Sequence, residues 1–319
     1  MPFEIVPVGT HVDFIGRRRI CMVISIVMIL AGAAAVFVRG GIPMGIDFRG
    51  GTELQLLFDE GVPVDAGTLR EVVAGVGIEN ASVVRFGDEG SNEYLVKFPG
   101  DIEAEPASES EGGLVASDRV VKIEQAIREK IGGFTQQRVE FVGPRVGEEL
   151  REDGANALLL SALAILIYVA FRFSSRYAPG AIAAVVHDLA ITGGLLVILG
   201  IEFDLRILAA MLAILGYSLN DTIIIYDRIR ENPELRTKVD LEEVLNTSVN
   251  QTLSRTVLTS ITTLLALLSL YLLGGEVIRP FAQAMLIGVV VGTYSSIFIA
   301  SPILLFLERR YGTAAAKPA

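Results

Sequence analysis

Leu205–Tyr226 reads LRILAAMLAILGYSLNDTIIIY. At 1.5 Å per residue, a helix over this stretch is roughly 33 Å long, enough to cross a hydrocarbon core of about 30 Å. Asn220 and Asp221 sit near its end. An ionisable group inside a span is expensive, so by default it is a candidate functional group with a partner to be named.

Five further apolar runs lie on either side. Ile20–Val38 contains no charge, Ala155–Phe171 follows much later, and Ala178–Ile201 holds His187 and Asp188. Leu253–Leu273 carries Arg255 near its start, and Phe281–Leu307 is long enough to tilt. The expected organisation is therefore an N-terminal flank 1–19 and a first span 20–38. A water-facing domain 39–154 comes next, then spans 155–171, 178–201, 205–226, 253–273 and 281–307, and a C-terminal flank 308–319.

The whole composition agrees with this. Of 319 residues, 51% are hydrophobic and 20% charged, which excludes a wholly soluble globule and excludes disorder over most of the chain. A single cysteine, Cys21, excludes a disulfide framework, and with only His11 and His187 a histidine metal cluster is not expected. A net charge of −10 disfavours nucleic acid as a partner. Residues 39–154 hold 12 Lys+Arg against 23 Asp+Glu, while the remainder holds 15 against 14. One acidic domain is thus joined to a nearly neutral apolar remainder.

Lys and Arg in short flanks orient a membrane protein. Arg17–Arg19, Arg172 and Arg176, Arg228, Arg230, Arg236 and Lys238, and Arg309, Arg310 and Lys317 all fall on one side if there are six spans. Both termini are then expected in the cytoplasm and residues 39–154 outside. The first span has a competing reading as a signal peptide, since three arginines and an apolar run lead to Ala31-Gly32-Ala33-Ala34-Ala35. The run continues to Val38, longer than a usual signal core, which favours a retained anchor.

In the outward domain, Thr52–Phe58, Ala81–Phe86, Glu93–Phe98 and Gln136–Val142 read as strands. Val64–Val76 and Leu114–Ile131 have helical spacing, the latter aligning Val120, Ile123, Ile127 and Ile131. The order β-α-β-β-α-β is that of a ferredoxin-like split βαβ module. Asp101–Gly113 interrupts it with Glu103, Glu105, Glu109 and Glu111 among small residues, either a solvated loop or a cation or partner site. The domain has no nucleophile–base pair, no phosphate loop and no metal-ligand spacing, so no enzyme and no cofactor are expected.

Spans four and five run antiparallel. Asp221 lies six residues before Asp227, and Arg255 five past Asn250, so their depths match at roughly 8–9 Å along the helices. A salt bridge is geometrically open. The plainer alternatives are that Arg255 snorkels to the headgroups and Asp221 only packs. Asn220 can hydrogen-bond a neighbouring helix. Desolvation favours the neutral form of a carboxylate and a nearby arginine the charged form, so separating and restoring such a pair can move a proton. Asp188 either joins this polar interior or bonds Thr192 or backbone to fix packing. Adjacent helical residues point about 100° apart, so His187 and Asp188 are not expected to share one direction. A satisfied interhelical histidine is the leading reading of His187, and a proton relay the alternative.

Two stretches carry a family resemblance: Gly45-Ile46-Asp47-Phe48-Arg49-Gly50-Gly51-Thr52, and Gly216-Tyr217-Ser218-Leu219-Asn220-Asp221-Thr222 continuing to Asn232. With Gln251–Thr256 they resemble the SecF branch of the SecD/SecF family, itself similar to the resistance–nodulation–division transporters. The resemblance covers nearly the whole chain. It implies a multi-pass subunit of the bacterial inner membrane that pairs with SecD. It also implies association with the SecYEG channel and often YajC, acting on unfolded precursor proteins after SecA-driven translocation has begun, with use of the proton-motive force. The family's proton-transport residues fall on Asp221 and Arg255, with Asp188 and Asn220 as further candidates. Gly45, Asp47, Phe48, Arg49, Gly50 and Gly51 form the family motif where span one meets the outward domain. Gly50 and Gly51 read as turn residues rather than a phosphate loop, and Asp47 and Arg49 as groups that orient the domain on the membrane. Surrounding lipid is the remaining partner. Tyr226–Asn250 reads as an amphipathic cytoplasmic connection, broken at Pro233. Two other functions stay open: a small-molecule or lipid exporter of the same superfamily, and a non-transporting assembly factor in which Asp221 and Arg255 form a structural pair.

Overall fold

The computed structural model describes residues 10–78, 81–87, 91–99, 118–173, 176–232 and 240–311. The acidic stretch 101–113 and Pro233 lie outside these residues. In chain order the elements are α1 (Arg18–Val38), α2 (Ile46–Arg49), β1 (Gly51–Phe58), α3 (Ala66–Ala74), β2 (Ser82–Phe86) and β3 (Glu93–Phe98). They continue with α4 (Asp118–Lys130), β4 (Phe134–Val142), α5 (Pro144–Arg172), α6 (Ala178–Leu199) and α7 (Leu205–Glu231). Last come α8 (Leu241–Leu273), α9 (Gly275–Ser295), a π-helical turn (Ser296–Ala300) and α10 (Ser301–Tyr311). The chain divides into two compact units, Met44–Gly154, and Met1–Pro43 with Ala155–Ala319.

The smaller unit is a four-stranded sheet in the order β2-β3-β1-β4, with every pairing antiparallel. Period-two alternation sends Leu54, Leu56, Phe58, Tyr94, Val96 and Phe98 to one face. They bury against Leu69, Val72 and Val73 of α3 and Val120, Ile123 and Ile127 of α4. Asp65 caps α3, accepting from the backbone N–H of Gly67 at 2.6 Å and from the Thr68 hydroxyl at 2.7 Å. The Thr68 hydroxyl and these backbone groups hold its carboxyl below the usual range. α2 has only four residues, too few for a readable period. Gly50 has φ 75° and Gly51 φ 155°. A Cβ on Gly50 would lie 2.7 Å from the Pro144 Cα, and one on Gly51 2.7 Å from the Phe98 carbonyl oxygen. Both glycines are therefore demanded by backbone approach within this unit.

In the larger unit, α1, α6, α7, α8 and α9 through α10 are long and apolar enough to cross a membrane, as is α5, making six such helices among the described residues. α5 begins at Pro144, well ahead of the apolar run at Ala155, because proline suits a first helical turn and the intervening charges pair, as in Arg145–Glu149 at 3.3 Å. α8 likewise begins at Leu241, since no breaker separates it from Leu253. Phe171, Leu160, Leu272 and Ile20 point out of the unit, as lipid-facing side chains do. α1 and α6 touch backbone to backbone, where a Cβ on Gly32 would lie 2.7 Å from the Gly194 Cα. The π-helical turn precedes Pro302, which lacks an N–H and whose ring crowds the carbonyl four residues back. The Ser301 hydroxyl donates to the Ser296 carbonyl across this turn at 3.1 Å.

Candidate functional site: a polar layer between two apolar clusters

Among the described residues, the larger unit has two buried apolar clusters. One contains Leu196 of α6, Ile207 and Ile214 of α7, Leu267 of α8 and Val289 of α9. The other contains Ala181 of α6, Tyr226 and Ile229 of α7, Leu245 and Val249 of α8 and Leu304 of α10. The same helices bury a set of polar residues: Asp188, Ser218, Asp221, Thr222, Thr256, Ser260, Ser295 and Ser296. On α6, α8 and α9 they lie between residues of the two clusters, and on α7 they alternate with Leu215, Leu219 and Ile225 of the second. Hydroxyls bind the layer together. Thr222 meets Ser296 at 2.9 Å, Ser260 meets Thr293 at 2.7 Å, and the Ser296 hydroxyl donates to the Ser218 carbonyl at 3.3 Å.

Asp188 is 1% exposed and fully engaged. Its Oδ2 accepts from the Ser295 hydroxyl at 2.8 Å and from the Ser218 hydroxyl, and its Oδ1 meets His187 Nδ1 at 2.8 Å. Hydrogen bonds to a charged group contribute about 1.5–3 kcal/mol each. His187 Nε2 meets the Ser25 hydroxyl of α1 at 2.9 Å. His187 and Asp188 thus bond each other, against the expectation from helix spacing. Both side chains are long enough to close the angle between them, and each then reaches a different helix. His187 is the interhelical histidine. Asp188 joins α6 to α7 and α9, while Thr192, the other partner considered for it, has a buried hydroxyl with no hydrogen bond among the described residues.

Asp221 is also 1% exposed, but neither carboxylate oxygen makes a hydrogen bond among the described residues. Asn220 and Thr293 flank it without reaching hydrogen-bond geometry, and Arg255 bears on it through charge at longer range. The ion pair that matched depths leave open is not formed. Arg255 is exposed, whereas Thr252, Thr256 and Ser260 make the buried stripe of α8. Arg255 lies one residue off that stripe, about 100° away. Matched depth says nothing about azimuth. Asn220 is exposed beside Asp221.

At the other motif, Phe48 and Gly45 are buried and Arg49 is exposed, all within the smaller unit. Sequence reasoning missed Ser25, Tyr294, Ser218 and Ser295, since single serines in apolar runs carry no pattern. It also missed Asn246 and Asn250. Asn250 pairs with both the N–H and the carbonyl of Val12, at 2.9 and 2.8 Å, and Asn246 accepts from Phe14 N–H at 2.9 Å. These contacts seat the fully buried Ile15 among Phe173, Tyr177 and Tyr226.

A body of apolar helices with two buried carboxylates, in a chain whose small sheet unit carries a Gly-Gly motif, is the pattern of a class of protein-export membrane proteins. The sequence model described as "Protein export membrane protein SecD/SecF, C-terminal" matches residues 122–310, and that of the "SecD/SecF GG Motif" matches residues 35–62. The chain belongs to the SecD/SecF family. It is 41% identical over 305 residues to the protein translocase subunit SecF of Pseudomonas aeruginosa, covering 95% of this chain and 93% of that one. It is 40% identical over 309 residues to SecF of Calditerrivibrio nitroreducens, covering 96% and 97%. The crystal structure of SecDF from Thermus thermophilus superposes with a TM-score of 0.82 at 37% identity, covering 97% of this chain and 40% of that polypeptide. A super-membrane-facing form of SecDF gives 0.68, covering 98% and 41%. The chain thus spans about two fifths of the SecDF polypeptide. It is a multi-pass protein of the bacterial inner membrane with the pattern of a SecD-partnered translocase subunit, not of an enzyme family.

Proposed function

We propose that this chain acts with a SecD-type partner to drive precursor proteins across the inner membrane with the proton-motive force, and that Asp221 is the proton-carrying group. The observation that carries this is a carboxylate 1% exposed, with neither oxygen hydrogen-bonded among the described residues, in a layer whose other carboxylate, Asp188, is fully engaged. An uncompensated buried charge costs several kcal/mol, so this carboxylate is stable only with a proton on it or a cation brought to it. Arg255, on the next helix and unpaired with it here, is the cation within reach of a rotation or shift of α8. Alternation between these two arrangements, opened to opposite sides, couples proton flow to motion. Asp188 sets the position of Ser218, one helical turn before Asp221, and Asn220 supplies an amide beside it.

The reading extends to the rest of the chain. The β2-β3-β1-β4 order with two helices supports a ferredoxin-like module, and the placement of Lys and Arg supports a periplasmic position for 39–154 with both termini cytoplasmic. SecYEG, YajC and the SecA-driven machinery are the proposed wider partners, and unfolded precursors the cargo. Relatives named as protein translocase subunits favour polypeptide export over small-molecule or lipid export.

The test replaces the native chain with Asp221→Asn. Signal-bearing precursors accumulate while the variant still co-purifies with its partner and the membrane potential is unchanged. Normal export in that strain excludes Asp221 as the coupling group, and lost co-purification points instead to an assembly role.

A further inference from the structure

Four contacts run in line from Asp188 across three helices. Asp188 Oδ1 meets His187 Nδ1 at 2.8 Å, and His187 Nε2 meets Ser25 Oγ at 2.9 Å. Ser25 Oγ meets Tyr294 Oη at 3.1 Å, and Tyr294 donates to the Cys21 carbonyl at 2.6 Å. Each contact needs one proton, because two lone pairs facing each other at these distances repel. A neutral imidazole supplies one, Ser25 one and Tyr294 one. Three protons do not fill four contacts.

A proton on the second ring nitrogen completes the line. Nδ1–H then donates to Asp188, Nε2–H to Ser25, the Ser25 hydroxyl to Tyr294, and the Tyr294 hydroxyl to Cys21. Both oxygens of Asp188 then accept, Oδ1 from His187 and Oδ2 from the Ser218 and Ser295 hydroxyls, which is the pattern of a carboxylate. We infer that His187 and Asp188 together hold one proton, as an imidazolium–carboxylate pair, and that this proton fastens α1 to α6 and α9. The pair is neutral overall, which suits residues 5% and 1% exposed better than a lone charge does. Removing the proton leaves one of the four contacts without a hydrogen.

The other titratable groups around the pair are Tyr294 of α9, whose ring stacks on the imidazole at 5.9 Å between centroids, Cys21 of α1, and Asp221 of α7, one turn beyond Ser218. Glu308 of α10 pairs with Arg176 ahead of α6. The protonation state stands on the hydrogen-bond count alone. Its use as a second coupling site, releasing and re-docking α1 during transport, rests on the proposed proton-driven function.

The chain has only two histidines, so the His11→Gln variant leaves His187 as its sole imidazole. With ¹⁵N-labelled histidine and the whole protein in lipid bilayers at pH 7, nuclear magnetic resonance reads both ring nitrogens. Both are expected to carry protons, and this signal is expected to persist in Asp221→Asn and to be lost in Asp188→Asn. Should Asp188→Asn not fold, Ser25→Ala removes the Nε2 acceptor, with its Tyr294 contact, and leaves Asp188 in place. One lost charged hydrogen bond then lowers the charged-to-neutral ratio by about tenfold. A neutral imidazole with one bare nitrogen in the otherwise native protein overturns the inference, as does an unchanged ratio in Ser25→Ala. Either failure leaves the Asp221 reading standing. Conversely, normal export by Asp221→Asn leaves the pair's protonation intact.

Discussion

Asn250 shows what one side chain can organise. Its amide answers both backbone groups of Val12, and Asn246 answers the N–H groups of Phe14 and Ile15. Residues 12–15 lie outside any helix or strand, so these amides take up backbone hydrogen bonds that a ladder would otherwise hold. Asn250→Ala leaves a partly buried donor and acceptor unmet, at a cost of about 1–3 kcal/mol. The expected result is faster protease cleavage or cysteine labelling within residues 12–15, with the rest of the helical body unchanged. Unaltered labelling there means that Ile15 alone holds the segment. The same scale explains why Asp188 and Asp221 differ. Both are buried carboxylates in one layer, but one is surrounded by donors and the other is not.

Among elements, α1 and α6 approach each other backbone to backbone. Gly32 and Gly194 meet without side chains, and this brings Ser25 within reach of His187 on the same pair of helices. Gly194→Leu forces the backbones apart, costs about 1–3 kcal/mol or more, and lengthens the Ser25–His187 contact. The expected outcome is reduced stability of the detergent-extracted protein. The disulfide that the double variant Ser25→Cys, His187→Cys forms between α1 and α6 is also expected to be lost once Gly194→Leu is added. A disulfide that still forms shows instead that the helices repack around the larger residue. The π-helical turn acts on α9 and α10 in a similar way. The widened turn begins at Ser296, next to Ser295, and these are the two serines that face Thr222 and Asp188.

For the molecule as a whole, the proposed coupling requires that a proton reach the buried polar layer only together with a movement. A protonophore is therefore expected to lower export by the wild-type strain to the level of Asp221→Asn and to have little further effect on that variant. Precursor processing in pulse-labelled cells measures this. A further large drop in the variant shows that the gradient acts on export through other groups. Replacing Arg255 with Lys keeps the charge but not the planar fork, and it is expected to retain partial export where Arg255→Ala retains none.

Six spans were legible in the sequence because a bilayer imposes a length and a polarity that each span must meet alone. The strand and helix order of the smaller unit was legible for the same reason, since period two and period 3.6 are local signals. Asp221 and Asp188 stood out because charge is rare in such runs. The partners of those groups were not legible. Depth follows from counting residues along one helix, and that count leaves the direction in which a side chain points undetermined. Azimuth depends on how helices turn against one another, and it set Arg255 outside while gathering Ser25, Ser218, Ser295 and Tyr294 around the His187–Asp188 pair. The sequence by itself determined which segments are long and apolar enough to cross a membrane and which charges they carry, because those are properties of single segments. Only the tertiary structure decided which buried carboxylate is satisfied and which is left open, because hydrogen bonding there is settled between helices far apart in the chain.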